Sequence, residues 1–353
     1  MFALSDLGWS NFFEQQRREF ADPDLTPARV AEENRGLYRV LSPAGEFWAG
    51  VRGALRQSAT TREALPAVGD WVLVQHHPPQ ATIHALFQRR TKVARKMAGN
   101  RTEQQIVAAN IDTLFLVTSL NRDFNVRRLE RYLALAWESG AQPVVILNKS
   151  DLCGNSAEYL ESSKSVAGTV QIILCSALTG SGRPELRERV RVGGTAALLG
   201  SSGVGKSSLI NAIVGGELQP TAAVRPGDDR GRHTTTSRQL ILVPGGGILI
   251  DTPGMRELQL WSASDGLDAA FSDIERLAAS CKFRDCRHAS EPGCAVREAI
   301  ASDQLDEERL ESYHKLEREQ LFLESKQDAA LRSARNHAFR KVMKAQSRGY
   351  RDR

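Results

Sequence analysis

Long hydrophobic runs are missing from this 353-residue chain, and cysteines and aromatic residues are scarce. The longest apolar runs, such as Leu114 to Val117 and Ile248 to Ile250, fall far short of the roughly 18 residues that a membrane helix needs. The first residues show neither a basic start nor a long apolar stretch, so we expect no export signal. Without export, five cysteines are more typical of metal ligands or reactive thiols than of a disulfide framework. These absences favour a globular protein of the cytosol.

Basic charge is concentrated in two segments of the chain. The segment from Lys326 to Arg353 carries a net charge of +7, whereas the whole chain carries +5. Six more Lys or Arg residues and no acidic residue lie between Arg89 and Arg101. Such blocks on a nearly neutral body favour a polyanionic partner such as RNA. A basic tail that is merely solvated is the alternative.

The N-terminal third of the chain predicts a small all-β barrel. Residues 1 to about 34 look helical and then loop-like, and short alternating runs typical of strands follow. These runs are Leu37–Leu41, Glu46–Gly53, Asp70–Gln75 and Ala81–Phe87. Four or five such strands fit a five-stranded OB-fold, a fold that often binds RNA. A barrel that only packs on its neighbour would have the same pattern.

From Ile111 onward, apolar runs alternate with segments of helical spacing. The predicted strands Ile111–Val117, Pro143–Leu147 and Val170–Leu174 are continuous apolar runs, and the predicted helix Val126–Ser139 has an apolar face. Continuous apolar strands that alternate with helices predict a parallel α/β sheet covered on both faces.

One motif in this α/β region predicts phosphate binding. Gly200–Ser207 reads GSSGVGKS and fits GxxxxGK[S/T], between an apolar strand and a helical segment as that loop requires. Lys206 would reach the β- and γ-phosphates, and the Ser207 hydroxyl would ligate magnesium. Backbone N–H groups of the loop would point at the phosphate oxygens. The candidate nucleotide-binding residues of the loop are Gly200, Ser201, Ser202, Gly203, Val204, Gly205, Lys206, Ser207 and Ser208.

A second motif, DTPG, follows the apolar run Gly247–Ile250. An acid at the end of a buried parallel strand lies on the ligand side of the sheet. Asp251 therefore suits the magnesium shell, and the Gly254 N–H suits the γ-phosphate.

Two short motifs favour guanine over adenine. The NKSD motif contributes Asn148, Lys149 and Asp151 at the end of a predicted strand. A carboxylate such as that of Asp151 can accept two hydrogen bonds from guanine, and adenine lacks both donors. Ser176 and Ala177, after the next predicted strand, could close the base pocket. The motif set therefore predicts GTP rather than ATP.

The order of these motifs is circularly permuted. The guanine motifs at 148 and 176 precede the phosphate loop at 200 and DTPG at 251, whereas ordinary GTPases have the phosphate loop first. Between the last two motifs lies GRHTTT, where a switch loop belongs, and either Thr234 or Thr235 is expected to bind magnesium. Met255 stands where many GTPases use Gln to orient water. We therefore expect slow intrinsic hydrolysis that needs a partner, with His233 either orienting the water or serving as a plain loop histidine.

A cluster of thiols and one imidazole predicts a metal site. Cys281, Cys286, His288 and Cys294 form Cx4CxHx5C, which matches a closed structural zinc site and leaves no open catalytic position. Unrelated surface thiols are the alternative. Beyond the cluster, the spacing of Leu310, Tyr313, Leu316 and Leu321 predicts an amphipathic helix from Asp303 to Phe322 that could pack on the metal module. The basic tail that follows suits RNA backbone contact.

Taken together, the motifs resemble the ribosome small-subunit-dependent GTPase family of bacteria, RsgA, also called YjeQ. The stretches Thr118–Asn125 and Gly69–Val72 match the family as well. The resemblance implies a multidomain protein with an N-terminal OB-fold domain (1–100), a circularly permuted GTPase domain (101–275) and a C-terminal α-helical zinc-binding domain (276–353).

The resemblance also implies a role in late maturation of the small ribosomal subunit. Such a protein would bind rRNA as a monomer, with one zinc ion and with magnesium and GTP or GDP, and it would have no membrane partner. The subunit would stimulate its GTP hydrolysis. The alternative is an RNA-binding assembly factor in which GTP is mainly a structural clamp.

Overall fold

A closed five-stranded barrel forms the N-terminal part of the computed structural model, which describes residues 2–20, 22–96, 104–216, 238–252 and 264–326. Helix α1 (Asn11–Arg17) precedes the barrel, and α2 (Gly53–Ser58) lies between its third and fourth strands. The strands are β1 (Thr26–Asn34), β2 (Leu37–Ser42), β3 (Gly45–Val51), β4 (Trp71–His77) and β5 (Gln80–Leu86). Because β1 pairs with both β2 and β4, the barrel closes in the order β1-β2-β3-β5-β4. This architecture confirms the predicted OB-type barrel.

Strand β1 corrects the prediction for the first 34 residues. That segment was expected to be helical and then loop-like, but residues 26–34 are a strand. Four consecutive residues of β1, Ala28–Ala31, are buried, and a bulge lies between Val30 and Glu32. The alternation of buried and exposed residues that marks a strand in the sequence is therefore absent from β1.

Aliphatic residues fill the barrel, and aromatic rings pack on its outside. Side chains such as Val40, Val72 and Ile83 form a buried cluster contributed by different strands. Against the outer wall, the ring of Trp9 meets those of Trp71 and Phe87 at 4.7 and 5.4 Å between centroids. The N-terminal segment is thereby fixed to the barrel.

A hairpin of β6 (Lys92–Lys96) and β7 (Gln104–Ala109) follows the barrel and uses part of the predicted basic block. Arg89 forms an ion pair of 2.7 Å with the buried carboxylate of Asp70. Arg90 pairs with Asp112, and Lys92 pairs with Glu63. Three of the six cations in that block are therefore matched by carboxylates of this chain.

The predicted α/β domain follows as a mixed sheet. The strands are β8 (Thr113–Ser119), β9 (Gln142–Asn148), β10 (Ile172–Leu174), β11 (Thr195–Gly200), β12 (Gln239–Leu242) and β13 (Ile248–Asp251). Five of them are parallel in the order β10-β9-β8-β11-β13, and β12 is antiparallel at the end. The helices are α3 (Val126–Ser139), α4 (Ser156–Ala167), α5 (Arg183–Arg189) and α6 (Lys206–Val214). Strand β12 also pairs with β1, so one sheet of eleven strands runs through the domain and the barrel.

Four helices complete the described chain: α7 (Ser264–Ala270), α8 (Ser272–Ala278), α9 (Ala295–Ala301) and α10 (residues 307–326). Helix α10 confirms the predicted amphipathic helix, with Leu310 and Leu316 buried. Leu321 was expected on the same face but is 57% exposed, and Gln320 and Leu323 are buried instead. Gln320 lies four residues after Leu316, and Leu323 lies three residues after Gln320. Both therefore fall on the same face of the helix as Leu316. Within the described ranges, no helix is long and apolar enough to cross a membrane.

Candidate nucleotide and metal sites

The four predicted nucleotide motifs meet at one edge of the sheet. Strand β9 ends at Asn148, β11 at Gly200 and β13 at Asp251, and Ser176 comes two residues after β10. These strands are parallel, so their carboxyl ends lie side by side, where open α/β sheets bind ligands. The circular permutation thus leaves the motifs together in space.

Glycine is required at several places in the phosphate loop between β11 and α6. Gly203 and Gly205 have φ values of 84° and 93°, a region that side chains disfavour. A Cβ at Gly205 would collide with the Asn148 amide, and one at Gly200 would collide with the Val117 carbonyl. The loop can therefore pack against β8 and β9 only with these glycines in place.

Asn148 joins the guanine motifs to the phosphate loop. Its side chain is 1% exposed and donates from Nδ2 to the Val204 carbonyl at 2.8 Å. Its Oδ1 accepts from the Ala177 N–H at 3.1 Å. Lys149 adds a second link, since its Nζ donates to the Gly203 carbonyl at 2.7 Å. Asn148 and Lys149 therefore bridge two loops that are more than 50 residues apart in the chain.

Asp151 lies next to the loop that follows β10. Its carboxylate accepts a hydrogen bond from the Ser176 hydroxyl, and the residue is exposed. The Thr179 N–H donates in turn to the Ser176 hydroxyl at 3.1 Å. The loop after β10 therefore orients a carboxylate that a guanine base could reach.

Lys206 begins α6 and points into the phosphate loop. Its ammonium donates to the carbonyls of Gly200 and Ser201, both at 2.8 Å. Burial lowers the pKa of Lys206 to about 8, although the negative charge of Asp251 acts to raise it. An ammonium has three donors, and a phosphate oxygen is the natural acceptor for the third. The loop thus aims a cation at the place where phosphates would bind.

The remaining predicted residues are only partly covered by the structure. Ser207 and Ser208 are half-buried in the first turn of α6, and Asp251 is 2% exposed at the end of β13. The neighbouring Thr252 hydroxyl donates to the Leu198 carbonyl, which ties β13 to β11. The other predicted residues, His233, Thr234, Thr235 and Gly254, lie outside the described residues.

Two residues of α3 contact the phosphate loop, and motif analysis gave them no role. Arg128 donates from Nη1 to the Ser201 hydroxyl oxygen at 2.6 Å, and the Tyr132 hydroxyl lies 3.3 Å from the same oxygen. The only sequence signal near them is the stretch Thr118–Asn125, which leads into α3.

The predicted metal ligands form a compact cluster. Cys281 Sγ lies 3.6 Å from His288 Nδ1 and 3.9 Å from Cys294 Sγ, and His288 Nδ1 lies 3.4 Å from Cys294 Sγ. All four ligand atoms, including that of Cys286, lie within 4.8 Å of one another. A tetrahedral zinc site with Zn–S bonds of about 2.3 Å has edges of about 3.7 Å. The spacing and the donor set therefore fit one tetrahedral ion.

Known proteins similar to this chain share one family. The family model of the RsgA GTPases matches residues 86–261. A small ribosomal subunit biogenesis GTPase RsgA from Opitutus terrae is 44% identical over 97% of this chain and 96% of the relative. A protein with that name, numbered 2, from Lactiplantibacillus plantarum is 50% identical over 82% of each chain.

Solved structures agree with these relatives. The crystal structure of YjeQ from Thermotoga maritima has a TM-score of 0.63 and 27% identity, and the match covers 84% of this chain and 99% of YjeQ. YloQ, described as a circularly permuted GTPase, has the same fold at a TM-score of 0.58 and 23% identity, covering 88% of this chain and 97% of YloQ. This chain therefore belongs to the RsgA family of GTP-hydrolysing enzymes.

Proposed function

We propose that this GTPase binds the small ribosomal subunit, acts late in its maturation, and hydrolyses GTP slowly until the subunit stimulates it. The meeting of a phosphate loop, NKSD, the Ser176 loop and Asp251 at one sheet edge carries the proposal. The relatives from O. terrae and L. plantarum are named small ribosomal subunit biogenesis GTPases, which supports the choice of partner. On this proposal the protein works in the cytoplasm as a monomer.

Each site residue has a proposed part in the reaction. Lys206 would neutralise charge on the β- and γ-phosphates, and Asp151 would select guanine. Ser207 and Asp251 would hold magnesium, an ion that neutralises the charge developing on the phosphates when it is bound. A hydroxyl and a carboxylate are ligands that magnesium prefers, so the donor set fits. Gly254 would donate its N–H to the γ-phosphate.

The proposed slow hydrolysis rests on the residue after DTPG. Met255 has no group that can orient an attacking water molecule. We propose that His233 supplies this function and that Thr234 or Thr235 completes the magnesium shell. Productive placement of these residues would depend on the ribosomal subunit, which is why the subunit would accelerate turnover.

The barrel surface supports an RNA partner. A cavity of about 340 Å3 is lined by Arg35, Arg56 and Arg62, together with Glu33, which pairs with Arg62 at 3.0 Å. On a neighbouring part of the barrel, Trp48 is 39% exposed. Cations that contact phosphates, together with aromatic faces on which bases stack, are typical of surfaces that bind single-stranded RNA.

We further propose that the ion of the Cys3His cluster is zinc and that its role is structural. All four positions of a tetrahedron would be taken by Cys281, Cys286, His288 and Cys294, which leaves no site for a substrate. The proposed domain division, 1–100, 101–275 and 276–353, assigns this centre to the C-terminal domain.

GTP turnover by the pure protein, with and without purified small subunits, tests the proposal. We expect large stimulation by small subunits, none by large subunits, and no turnover of ATP. Asp151→Asn should lose the preference for guanine, and Ser207→Ala should lose turnover because magnesium is no longer held.

The alternative function, an RNA-binding factor clamped by GTP, is favoured by Met255 alone. Slow turnover that is equal in every mixture would support that alternative and contradict a GTPase gated by the subunit. A Ser207→Ala variant that lost turnover but kept its full role in cells would support the same alternative.

A further inference from the structure

Ser201 of the phosphate loop is held at two different atoms. Its hydroxyl oxygen accepts a 2.6 Å hydrogen bond from Arg128 Nη1 on α3. Its carbonyl oxygen accepts a 2.8 Å hydrogen bond from the Lys206 ammonium. Ser201 therefore connects a side chain outside every nucleotide motif to the lysine that faces the phosphates.

Arg128 is itself held in a defined orientation. The carboxylate of Asp123 accepts from Nη1 at 2.8 Å and from Nη2 at 3.3 Å. The backbone N–H of Arg128 donates to Asn125 Oδ1 at 2.8 Å, which caps the start of α3. The Asp123 carboxylate therefore restrains the guanidinium, and the cap fixes the backbone from which the Arg128 side chain extends to Ser201.

Helix α3 provides a rigid base because the C-terminal helices hold it. Glu130 is 1% exposed and accepts from Arg127 at 2.7 Å and from Arg309 at 3.0 Å. Arg131 pairs with Glu319 of α10 at 2.8 Å. Side chains supported in this way can keep a reactive group within a fraction of an ångström of its required place.

We propose that Arg128 is a positioning residue for GTP hydrolysis: it acts through Ser201 to fix the carbonyl that orients the Lys206 ammonium. The proposal rests on the role of Lys206 given above. Loss of Arg128 would let Ser201 move and would let the ammonium sample more positions. Stabilisation of the charge that develops in the transition state depends on hydrogen-bond donors that are already in place. The phosphates of bound GDP, in contrast, also accept hydrogen bonds from the backbone N–H groups of the loop. The effect should therefore be larger on kcat than on GDP affinity.

Single-turnover GTP hydrolysis with excess protein, in magnesium and without ribosomal subunits, tests the proposal. Arg128→Gln and Ser201→Ala should each lower the rate between about tenfold and a hundredfold, the loss typical of a misplaced catalytic group. The double variant should be no slower than Ser201→Ala alone, because loss of the Ser201 hydroxyl already breaks the connection to Arg128. Arg128→Lys should recover part of the rate, since an ammonium can still donate one hydrogen bond to Ser201.

Arg297→Gln provides the control. It removes an arginine that pairs with Glu307 of α10 rather than with α3 or the phosphate loop, so hydrolysis should stay at the wild-type rate. Asp123→Asn should give a smaller loss than Arg128→Gln because the guanidinium is only loosened. Thermal unfolding of each variant identifies any that fold poorly, and Ser201→Ala, which removes a single oxygen, keeps the test valid in that case.

Three results would overturn the proposal: wild-type turnover by Arg128→Gln, rate losses that multiply in the double variant, or GDP affinity that falls as much as the single-turnover rate. Failure of the proposed function would give a different result: the wild-type protein would hydrolyse GTP, but small subunits would not stimulate it. The rates of these variants could still be compared with the wild-type rate in that case.

Discussion

Lys206 is the residue whose burial has the most direct chemical consequence. Its pKa is lowered to about 8, whereas an exposed lysine titrates near 10.5. The free protein therefore loses this cation as the pH rises through about 8, and a bound polyphosphate favours the charged form. We expect GDP affinity to fall by at most about twofold from pH 7 to 8 and by up to about sixfold over the next pH unit.

Calorimetry in two buffers with different ionisation enthalpies measures both this affinity and the proton taken up on binding. Lys206→Arg keeps its charge throughout this range, so its GDP affinity should not fall between about pH 8 and 9. Wild-type affinity that stays flat to about pH 9, with no proton uptake, would show that Lys206 keeps its charge in the free protein.

The same residue also has an effect on folding. The unfolded chain binds the proton of this lysine more tightly than the folded chain does, because the pKa is depressed in the folded state. Stability from this group is therefore reduced below about pH 8 and recovers as the pH rises from about 8 toward 10.5. Burial of Lys206 therefore lowers the stability of the fold, and its proposed role in phosphate binding accounts for that cost.

Single residues also show which side chains a local sequence pattern can indicate and which it cannot. Lys206 was predicted from the loop motif because the chemistry depends on residues next to one another in the chain. Arg29 was not predicted, although it is 1% exposed and donates to the carbonyls of Leu7, Gly69 and Asn110. Its acceptors are up to 81 residues away, so no local pattern indicates that this arginine is buried.

At the scale of secondary structure, the turn after β9 depends on Asn148. Asn148→Ala removes both the donor to the Val204 carbonyl and the acceptor for the Ala177 N–H. A buried polar group left without a partner costs about 1–3 kcal/mol. We expect the phosphate loop to loosen and GDP affinity to fall by at least about tenfold, measured by calorimetry.

Asn155→Ala is the matched control for that change. Its amide caps α4 by accepting from the Ala157 N–H at 3.3 Å and does not contact the phosphate loop. Loss of the cap should cost about 1 kcal/mol of stability and leave GDP affinity unchanged. Equal GDP affinity in the two variants would contradict the proposed bridge.

Elements with a regular period were the predictable ones. Helix α3 has the predicted bounds, Val126 to Ser139, because its apolar residues repeat with helical spacing and Gly140 ends it in the left-handed region. Strand β1 escaped prediction because it pairs on both edges and bulges, so Ala28–Ala31 are buried in succession. Strand β12 also had no signal, since only Leu240 of its four residues is fully buried.

For the whole molecule, the metal centre and the nucleotide site are separate units. Removal of the ion by a chelator should lower the unfolding temperature and expose amides of residues 264–326 to hydrogen exchange, because structural zinc contributes folding energy. GDP affinity should stay the same, since no contact of the described phosphate loop reaches the Cys3His cluster.

Elemental analysis and hydrogen exchange followed by mass spectrometry measure these effects. Cys294→Ser should lose the metal because it replaces a buried ligand, whereas Cys153→Ser should keep one equivalent. A chain that holds no metal as purified and has the same protection pattern with and without chelator would contradict a structural ion.

The C-terminal helices are joined to α3 by a buried ion network. Arg309 donates to Glu130 at 3.0 Å and to Asp273 at 2.6 Å, and its guanidinium lies 4.6 Å above the Phe271 ring. Arg309→Met would leave Glu130 buried with Arg127 as its other cation. Removal of one partner of a buried pair typically costs 3–5 kcal/mol, so we expect the free energy of unfolding to fall by about 3 kcal/mol.

Denaturant unfolding of paired variants compares how much this buried network and an exposed ion pair each contribute to the free energy of unfolding. Arg297→Met breaks an exposed pair with Glu307 and should cost less than about 1 kcal/mol. Adding Glu130→Gln to Arg309→Met should recover part of the loss, because the uncompensated buried charge is removed. If Arg309→Met cost no more than Arg297→Met, the C-terminal helices would be held on α3 by apolar contacts rather than by ions. If the ion network holds them instead, docking of the C-terminal helices depends on α3, the same helix that places Arg128 beside the phosphate loop.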